Sequence, residues 1–342
     1  MKAVRFHEHG GPEVLRYEDA PDPAINATEV LVRVKACAMN HLDLWVRKGI
    51  PGWKIPLPHI VGSDVSGEVA AVGDLVKGVK PGQRVLLSPG VSCGKCARCV
   101  AGDDNLCRDY FVFGSAQDGG YAEYVRAPEV NVLPIPGKLS FDEAAAVPLV
   151  FTTAWHMLMN RAQMRAGETV LVLGAGSGVG SAAIQVAKLF HGRVIATAGS
   201  DAKLAKAREL GADEVINHST QDITAEVKRL TERRGVDIVV EHVGTATWQK
   251  SFSSLAPNGR LVTCGATTGY DAGVDLRYLF NRQLSVLGSF MGRKDELLAA
   301  LQFIGQGKLR PVVDTAFPLS EARRAHEYLE NREQFGKVIL HP

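Results

Sequence analysis

The sequence predicts an α/β protein in which a β-rich domain is joined to a doubly wound, parallel-sheet domain. In the middle third of the chain, strand patterns such as TVLVLGAG and RVIATAG alternate with helical patterns such as SGVGSAAIQVAKLF. This alternation is typical of a parallel sheet that is covered by helices. In the first third, short runs such as EVLVRVKACA and SGEVAAVG alternate apolar and polar residues, as half-buried strands do.

The order of the elements indicates where one domain ends and the other begins. A helical pattern starts at Ser140 and continues through SFDEAAAVPLVFTTAWHML, with Ser140 and Glu143 spaced as in a capping box. The strands VDIVVEHVG and GRLVTCGA follow, then a helix over KDELLAALQFIGQGK and a final strand, KVILHP. We expect residues 1–149 and 292–342 to form the β-rich domain, and residues 150–291 to form the parallel-sheet domain.

Composition limits the class of protein and its partners. A chain of 342 residues is long enough for two domains, and its 46% apolar and 22% charged residues are ordinary for a globular protein. The net charge of +2 gives no sign of a nucleic-acid or anionic-membrane partner. The chain has no apolar run of the roughly 18 residues that a membrane-spanning helix needs, and its start lacks the apolar stretch of a signal peptide. We therefore expect a cytoplasmic protein.

A glycine-rich junction between a strand and a helix predicts a dinucleotide site. Glycines at such a junction let the backbone approach a pyrophosphate, and the helix N-terminus offers free N–H groups. A tight turn that only packs the helix against the strand is the alternative interpretation. The residues predicted to bind the cofactor are Gly174, Ala175, Ser177, Gly178, Val179 and Gly180.

The end of the next strand bears on the choice between NAD and NADP. Enzymes specific for NAD place an Asp or Glu there to hold the ribose 2′-hydroxyl. This chain has Ala198, Gly199 and Ser200 at that point, with Lys203 just beyond. The pattern favours NADP(H) over NAD(H), with Ser200 and Lys203 near the 2′-phosphate. The alternative for Lys203 is a solvated helix residue.

Four of the six cysteines fall in one short loop, within a lobe over 91–108. In a reducing compartment, the spacing Cys-x2-Cys-x2-Cys-x7-Cys predicts one tetrahedral zinc ion per chain. Four sulfur ligands leave no open position for a substrate, so this zinc would be structural. Disulfides, free thiols and an iron site are the alternatives. The predicted ligands are Cys93, Cys96, Cys99 and Cys107.

These two loops, in this order and at this separation, resemble those of the zinc alcohol dehydrogenases and quinone oxidoreductases of the medium-chain dehydrogenase/reductase superfamily. GSDVSGEVAAVG is similar to the family's GHExxGxVxxVG stretch, and KAVRFHEHGGPEVLRYED, GGYAEYV and FGKVIL are similar to other parts of it. The resemblance implies a GroES-like β-barrel catalytic domain, split by an inserted Rossmann domain, and assembly into homodimers or homotetramers. It also indicates that Lys337, in FGKVIL, contacts the cofactor.

The positions that hold the catalytic zinc in the alcohol dehydrogenases carry other residues here. Asn40 stands where the family has a Cys, and Leu42 replaces the Ser or Thr that relays the alcohol proton. Ser63 and Asp64 replace the His and Glu of the GHE motif. Leu149, near the position of the third ligand, cannot coordinate a metal. The resemblance therefore implies that the structural zinc is retained and the catalytic zinc is absent.

Other side chains near these positions leave an atypical metal site open as an alternative, although isolated histidines are more often ordinary hydrogen-bonded residues. The candidate ligands are Cys37, His41, Asp43, His59, Asp64 and His156.

Without zinc, hydride delivery to an enone or quinone is easier than to a simple carbonyl, because the negative charge spreads into an enolate or phenolate that hydrogen-bond donors can stabilise. Asn40 offers an amide donor, and His41 or Asp43 could bond to it or manage a proton. The structural alternatives are a turn residue for Asn40 and a salt bridge for Asp43.

Trp45, Trp53 and Phe290 could line an apolar substrate pocket, although aromatic side chains are more often part of a core. The sequence as a whole predicts an NAD(P)H-dependent oxidoreductase that reduces quinones or α,β-unsaturated carbonyls, with a small molecule as its substrate. The alternatives are an alcohol or aldehyde dehydrogenase with an atypical metal site, and a catalytically silent nucleotide-binding protein.

Overall fold

A computed structural model of the protein describes all residues from 1 to 342. The strands, numbered in chain order, are β1 (Lys2–Arg5), β2 (Arg16–Asp19), β3 (Glu29–Ala38), β4 (Asp64–Val72), β5 (Arg84–Leu87), β6 (Gly90–Val91), β7 (Phe111–Val112), β8 (Tyr124–Pro128), β9 (Val132–Pro134), β10 (Thr169–Val172), β11 (Arg193–Ala198), β12 (Glu214–Asn217), β13 (Val236–Glu241), β14 (Leu255–Thr263), β15 (Ser285–Gly288), β16 (Val313–Pro318) and β17 (Lys337–His341).

The helices are α1 (His41–Lys48), α2 (Ala97–Val100), α3 (Phe141–Ala145), α4 (Pro148–Trp155), α5 (Gly178–Leu189), α6 (Asp201–Glu209), α7 (Ile223–Leu230), α8 (Trp248–Ser254), α9 (Leu276–Asn281), α10 (Lys294–Gly305) and α11 (Ala322–Glu330). No helix combines the length and the apolar character that a membrane-spanning segment requires.

The chain divides into two compact units. The first contains residues 1–149, 293–305 and 311–342, and the second contains residues 150–292 and 306–310. The short segment 306–310 was expected in the first unit, but it belongs to the second. Its last residue, Arg310, exchanges two hydrogen bonds with the Gln185 side chain of α5, which explains why it stays with that helix.

The first unit is built on a mostly antiparallel sheet with the order β16-β17-β3-β4-β5-β9, in which β8 also pairs with β3. The register of the three central strands positions the candidate site. Ala38, the last residue of β3, lies between Ile339 of β17 and Asp64 of β4. Asn40, two residues after the end of β3, therefore lies beside the start of β17 and the start of β4, although these segments are far apart in the sequence.

The second unit contains the predicted doubly wound sheet. Its six strands are all parallel and have the order β12-β11-β10-β13-β14-β15. The strand order reverses between β10 and β13, and ligands of such sheets bind at the carboxyl ends of the strands next to this reversal. Buried Leu171, Ile195, Val239 and Leu261 from four of these strands belong to one apolar core.

The helical pattern that starts at Ser140 is interrupted. The capping box is present, because the Ser140 Oγ accepts the N–H of Glu143 at 3.1 Å and the Glu143 carboxylate accepts the N–H of Ser140 at 2.8 Å. The helix nevertheless stops at Ala145 and restarts at Pro148, since a proline has no N–H to donate and disfavours helical backbone in the preceding residue. A short π-helix over His156–Arg161 follows α4.

Candidate active site and cofactor loop

A buried lysine lies at the end of the first unit's sheet, beside residues that match the positions of the catalytic zinc ligands in the alcohol dehydrogenases. The Lys337 Nζ donates to the Asn40 Oδ1 at 2.5 Å and to the Asp64 Oδ2 at 2.8 Å. The Asn40 Nδ2 donates to the same Asp64 oxygen at 3.0 Å. Lys337 is 3% exposed and Asp64 is fully buried, so an internal cation is paired with an internal carboxylate.

Leu149, which also matches a catalytic zinc ligand of the alcohol dehydrogenases, contacts the same carboxylate. The backbone N–H of Leu149 donates to the other oxygen of Asp64 at 2.8 Å. Ser63 precedes Asp64 in the chain, and its hydroxyl is buried and has no hydrogen-bond partner. Amide, hydroxyl and aliphatic side chains thus stand where thiolate and imidazole ligands would be needed, and this donor set does not fit a tetrahedral zinc ion.

The Asn40 amide is fully engaged by this cluster. Its oxygen accepts from Lys337, and its nitrogen faces Asp64 and, at 3.5 Å, the carbonyl oxygen of Ala38. The sequence suggested Asn40 as the donor to a substrate oxygen. In the structure its amide positions Lys337 and Asp64, and its role in the reaction stays a prediction.

Asp43 holds the start of α1 in place. Its carboxylate accepts the N–H of Asn40 at 2.8 Å, the N–H of Gly62 at 3.2 Å and the hydroxyl of Tyr121 at 3.2 Å. Burial raises the pKa of Asp43 from 3.8 to about 6, although the hydrogen bonds from Asn40 and Tyr121 and the charge of Lys337 act in the opposite direction. With three donors around it, Asp43 is better placed to position Asn40 than to exchange a proton with a substrate.

The other end of α1 is tied down by a fully buried arginine. The Arg47 guanidinium donates to the His326 Nδ1 at 2.8 Å and to the Glu330 carboxylate at 2.7 Å, and both partners lie on α11. Asn40 is the N-cap of α1, so this anchor also limits how far Asn40 can move.

The other candidate metal ligands do not form a second site. The His41 ring packs edge to face against Trp45, with ring centroids 6.3 Å apart. The His59 Nε2 lies 3.1 Å from the carbonyl oxygen of Gly114. Cys37 is buried, and burial raises the pKa of its thiol well above its ordinary value. His156 lies in the second unit.

The three aromatic residues that were predicted to line an apolar pocket do not all belong to one unit. Trp45 and Trp53 belong to the first unit and Phe290 to the second, and Trp53 and Phe290 are exposed.

The predicted dinucleotide loop joins β10 to α5. Gly174 has a φ of +59°, and a side chain at Gly180 would lie 2.3 Å from the carbonyl oxygen of Gly174, so the loop requires glycine at both positions. The Ser177 hydroxyl caps α5 by accepting the N–H of Gly180 at 2.8 Å. The N–H groups of Gly178 and Val179 have no acceptor within the protein. Free N–H groups at a glycine-lined helix start fit a bound pyrophosphate.

His242 supports this loop and was missed by the sequence analysis. Its Nε2 lies 2.8 Å from the carbonyl oxygen of Leu173 and 3.3 Å from the Ser177 Oγ. A side chain at Gly174 would lie 3.1 Å from the imidazole. His242 follows β13, which pairs with β10, so the strand order of a doubly wound sheet was the signal that could have located it.

The predicted ribose end of β11 is lined by small and polar groups. The Ser200 Oγ caps α6 by accepting the N–H of Lys203 at 3.5 Å. The Ser219 hydroxyl donates to the carbonyl oxygen of Gly199 at 3.0 Å. A carboxylate that the sequence analysis did not weigh, Asp201, accepts a hydrogen bond from the Asn217 amide at 2.8 Å.

The four predicted zinc ligands meet in the first unit. Their sulfur atoms all lie within 4.8 Å of one another, with 3.5 Å between Cys96 and Cys99 and 4.0 Å between Cys93 and Cys99. A zinc ion with Zn–S bonds of about 2.3 Å requires sulfurs roughly 3.8 Å apart, so the cluster fits a structural zinc. Among all 342 residues, this is the one group of three or more His, Cys, Asp or Glu side chains whose ligand atoms converge.

Two family models match the chain in the same order as the two units. Residues 26–137 match the alcohol dehydrogenase GroES-like domain, and residues 178–306 match the zinc-binding dehydrogenase model.

Similar proteins align over nearly the whole chain. The chain is 33% identical to a human quinone oxidoreductase, over 99% of this chain and 97% of that protein. It is also 33% identical to an NAD-dependent alcohol dehydrogenase of Sulfolobus acidocaldarius, over 99% of both chains. A crystal structure of an NAD-dependent alcohol dehydrogenase, 50% identical, superimposes with a TM-score of 0.97 over the full length of both chains. The chain therefore belongs to the medium-chain dehydrogenase/reductase superfamily, and it is an NAD(P)-dependent oxidoreductase of the alcohol dehydrogenase and quinone reductase type.

Proposed function

We propose that this protein uses NADP(H) to reduce quinones or α,β-unsaturated carbonyls and that it does so without a catalytic zinc. The observation that carries the proposal is the cluster of Asn40, Asp64 and Lys337. Side chains that cannot form a zinc site stand at the expected ligand positions, and an ammonium group supplies positive charge there instead.

The reaction follows from how negative charge is handled. When bound, NADPH supplies a hydride to the substrate. A simple carbonyl would then hold a full alkoxide charge, which the alcohol dehydrogenases stabilise with a metal Lewis acid. A conjugated carbonyl spreads the same charge over an enolate, and a quinone over a phenolate, so protein hydrogen-bond donors suffice.

A zinc-dependent alcohol dehydrogenase is the second candidate, because two of the similar proteins are named alcohol dehydrogenases. A single experiment separates the two. Wild-type protein, dialysed against a chelator that spares the four-sulfur site, is assayed with small quinones, enals and primary alcohols and with both cofactors. We expect reduction of quinones or enals that survives the chelator. Alcohol oxidation that is lost with the chelator and restored by zinc would contradict the proposal, and no turnover of any substrate would favour a silent nucleotide-binding protein.

The proposed preference for NADP(H) rests on the end of β11. Gly199 and Ser200 place no carboxylate at the end of the strand, and the Asp201 carboxylate is hydrogen-bonded to Asn217. Lys203, one turn into α6, is a cation for the 2′-phosphate. The similar proteins named NAD-dependent support the opposite choice, so the dissociation constants of NADPH and NADH for the wild type are the direct test.

We also propose that the protein forms a homodimer through the second unit. Strand β15 is the outer strand of the six-stranded sheet, so one of its edges is unpaired. Val286 of β15 and Leu276 and Phe280 of α9 are exposed apolar side chains in the same part of the chain. An unpaired edge with apolar side chains readily pairs with a second copy. Val286→Lys is expected to lower the mass measured by light scattering from that of the dimer to that of the monomer.

The cytoplasm is the compartment we propose, because the clustered cysteines are unbonded and suit a metal that needs reduced thiols.

A further inference from the structure

Lys294, the first residue of α10, is bonded to the second half of the cysteine loop, which belongs to the same unit. Its backbone N–H donates to the Asp104 Oδ1 at 3.1 Å. Asp104 also turns the chain toward the last zinc ligand, because its carbonyl oxygen accepts the N–H of Cys107 at 3.1 Å. The neighbouring Arg293 guanidinium lies 3.8 Å from the Asp103 carboxylate. The start of α10 is therefore bound to the segment that carries Cys107.

The side chain of the same lysine is bonded to the other end of the loop. The Lys294 ammonium donates to the Asn131 Oδ1 at 3.4 Å. Asn131 is fully buried, and its amide nitrogen donates to the carbonyl oxygens of Ser88 and Gly90 at 2.8 and 2.6 Å. Gly90 begins β6, the short strand that leads to Cys93. Lys294 therefore lies between the two segments that must meet for the four sulfurs to converge.

A cation in this place is next to negative charge. Four thiolates bring four negative charges to an ion that has two positive ones, so a zinc site of this kind is anionic. Burial lowers the pKa of Lys294, whereas the charges of Asp104 and of the Cys99 sulfur raise it. The hydrogen bond from the ammonium to Asn131 is long, so a partly buried positive charge depends on these negative neighbours.

We propose that Lys294 is a positioning residue of the structural zinc site: it joins the two ends of the cysteine loop, and its ammonium balances part of the negative charge of the thiolates. The charge favours the metal-bound form in particular, because cysteines without a metal can take up protons and become neutral. Removal of a group that supports metal ligands typically lowers metal affinity by roughly 10- to 100-fold. This role depends on the four-sulfur site and is independent of the substrate and of the choice of cofactor.

The affinity for zinc tests this role. The purified protein is equilibrated with chelators of graded strength, and the zinc that it retains is measured by elemental analysis. Lys294→Met removes the charge and keeps a side chain of similar size, so it should bind zinc roughly 10- to 100-fold more weakly. Lys294→Arg keeps the charge and should retain most of the affinity. Lys138→Met, which removes an exposed lysine of the same unit, should match the wild type.

A double variant separates an effect on the thiolates from an effect on the neighbouring carboxylate. We expect Lys294→Met to weaken zinc binding by a similar factor when Asp104→Asn is already present, because the thiolates still lack their cation. If the ammonium served only to pair with Asp104, the lysine substitution would have no effect in that background. This result, or wild-type affinity in Lys294→Met alone, would overturn the proposal.

Cobalt in place of zinc gives a second readout, which a merely structural role would not move. A cobalt ion with thiolate ligands absorbs light by transfer of an electron from sulfur to the metal. Loss of a cation near the sulfurs makes this transfer easier, so the band should move to longer wavelength in Lys294→Met and stay in place in Lys294→Arg. An unshifted band in Lys294→Met would overturn the proposed charge effect.

Two further points keep these tests decisive. If Lys294→Met does not fold, Lys294→Gln is neutral, can still donate to Asn131, and is used for the same two measurements. Wild-type protein that retains no zinc after purification would overturn both the four-sulfur site and the role of Lys294.

Discussion

Removal of one charge from the buried Lys337–Asp64 pair should destabilise the protein more than removal of both. Lys337→Met leaves the fully buried carboxylate of Asp64 without its cation, and breaking a buried pair in this way costs about 3–5 kcal/mol. Adding Asp64→Asn removes the unpaired charge and keeps an acceptor for the N–H of Leu149. The double variant should then lose only about 1 kcal/mol, the net value of an ordinary hydrogen bond.

Urea unfolding followed by tryptophan fluorescence measures the difference. With a urea dependence of about 3 kcal/mol per molar, a loss of about 4 kcal/mol lowers the midpoint by roughly 1.3 M. The Lys188–Asp213 pair has a similar separation of 2.9 Å but lies at the surface, so Lys188→Met should change the free energy of unfolding by less than about 1 kcal/mol. A double variant that is less stable than Lys337→Met alone would refute the reasoning, because the two charges would then act independently.

Four further outcomes are expected. Cys96→Ser should release zinc and lower the melting temperature while the rate of hydride transfer in the folded fraction stays the same; full zinc occupancy by elemental analysis would contradict the ligand assignment. Gly178→Val should weaken NADPH binding by roughly tenfold or more, measured by fluorescence titration, and unchanged affinity in a folded variant would remove the loop from the site. Lys203→Ala should raise the dissociation constant of NADPH by about tenfold and leave that of NADH unchanged, whereas equal losses would argue against a 2′-phosphate contact. The pKa of Asp43 is raised from 3.8 to about 6 on folding, so the stability that this group contributes is fully present below pH 3.8 and is lost as the pH rises through 6, about 3 kcal/mol in all. Asp43→Asn should remove this dependence of the urea midpoint on pH. Wild-type and variant midpoints that change with pH in parallel would refute the expectation.

Features that depend on nearby residues could be predicted from the sequence. The four cysteines converge because the first and the last are only 14 positions apart, so their spacing alone limits the distances between their sulfurs. The glycine loop and the capping box of Ser140 and Glu143 are local in the same sense. In each case the chemistry of a few neighbouring positions restricts the backbone to one arrangement.

Features that depend on strand pairing could not be predicted. The contact of Asn40 with Lys337 joins residues 297 positions apart and requires the register of β17 against β3, which no local pattern specifies. His242 reaches the glycine loop through the pairing of β13 with β10 in the same way.

The break in the helix at Pro148 could have been predicted from the proline, which disrupts a helix. The sequence analysis instead followed the apolar pattern on both sides of the proline and treated the segment as one helix.

The long separation between Asn40 and Lys337 has a consequence for the order of folding. Almost all of the second unit is one continuous stretch, residues 150–292, whereas the first unit needs segments from both sides of that stretch. Contacts between distant residues form late, because the entropy of closing a long loop must be overcome before they stabilise the chain. Once the second unit has collapsed, it shortens the flexible chain between the partners. We therefore expect a folding intermediate that already binds nucleotide but has no reaction centre, since β17 has not yet brought its lysine to β3.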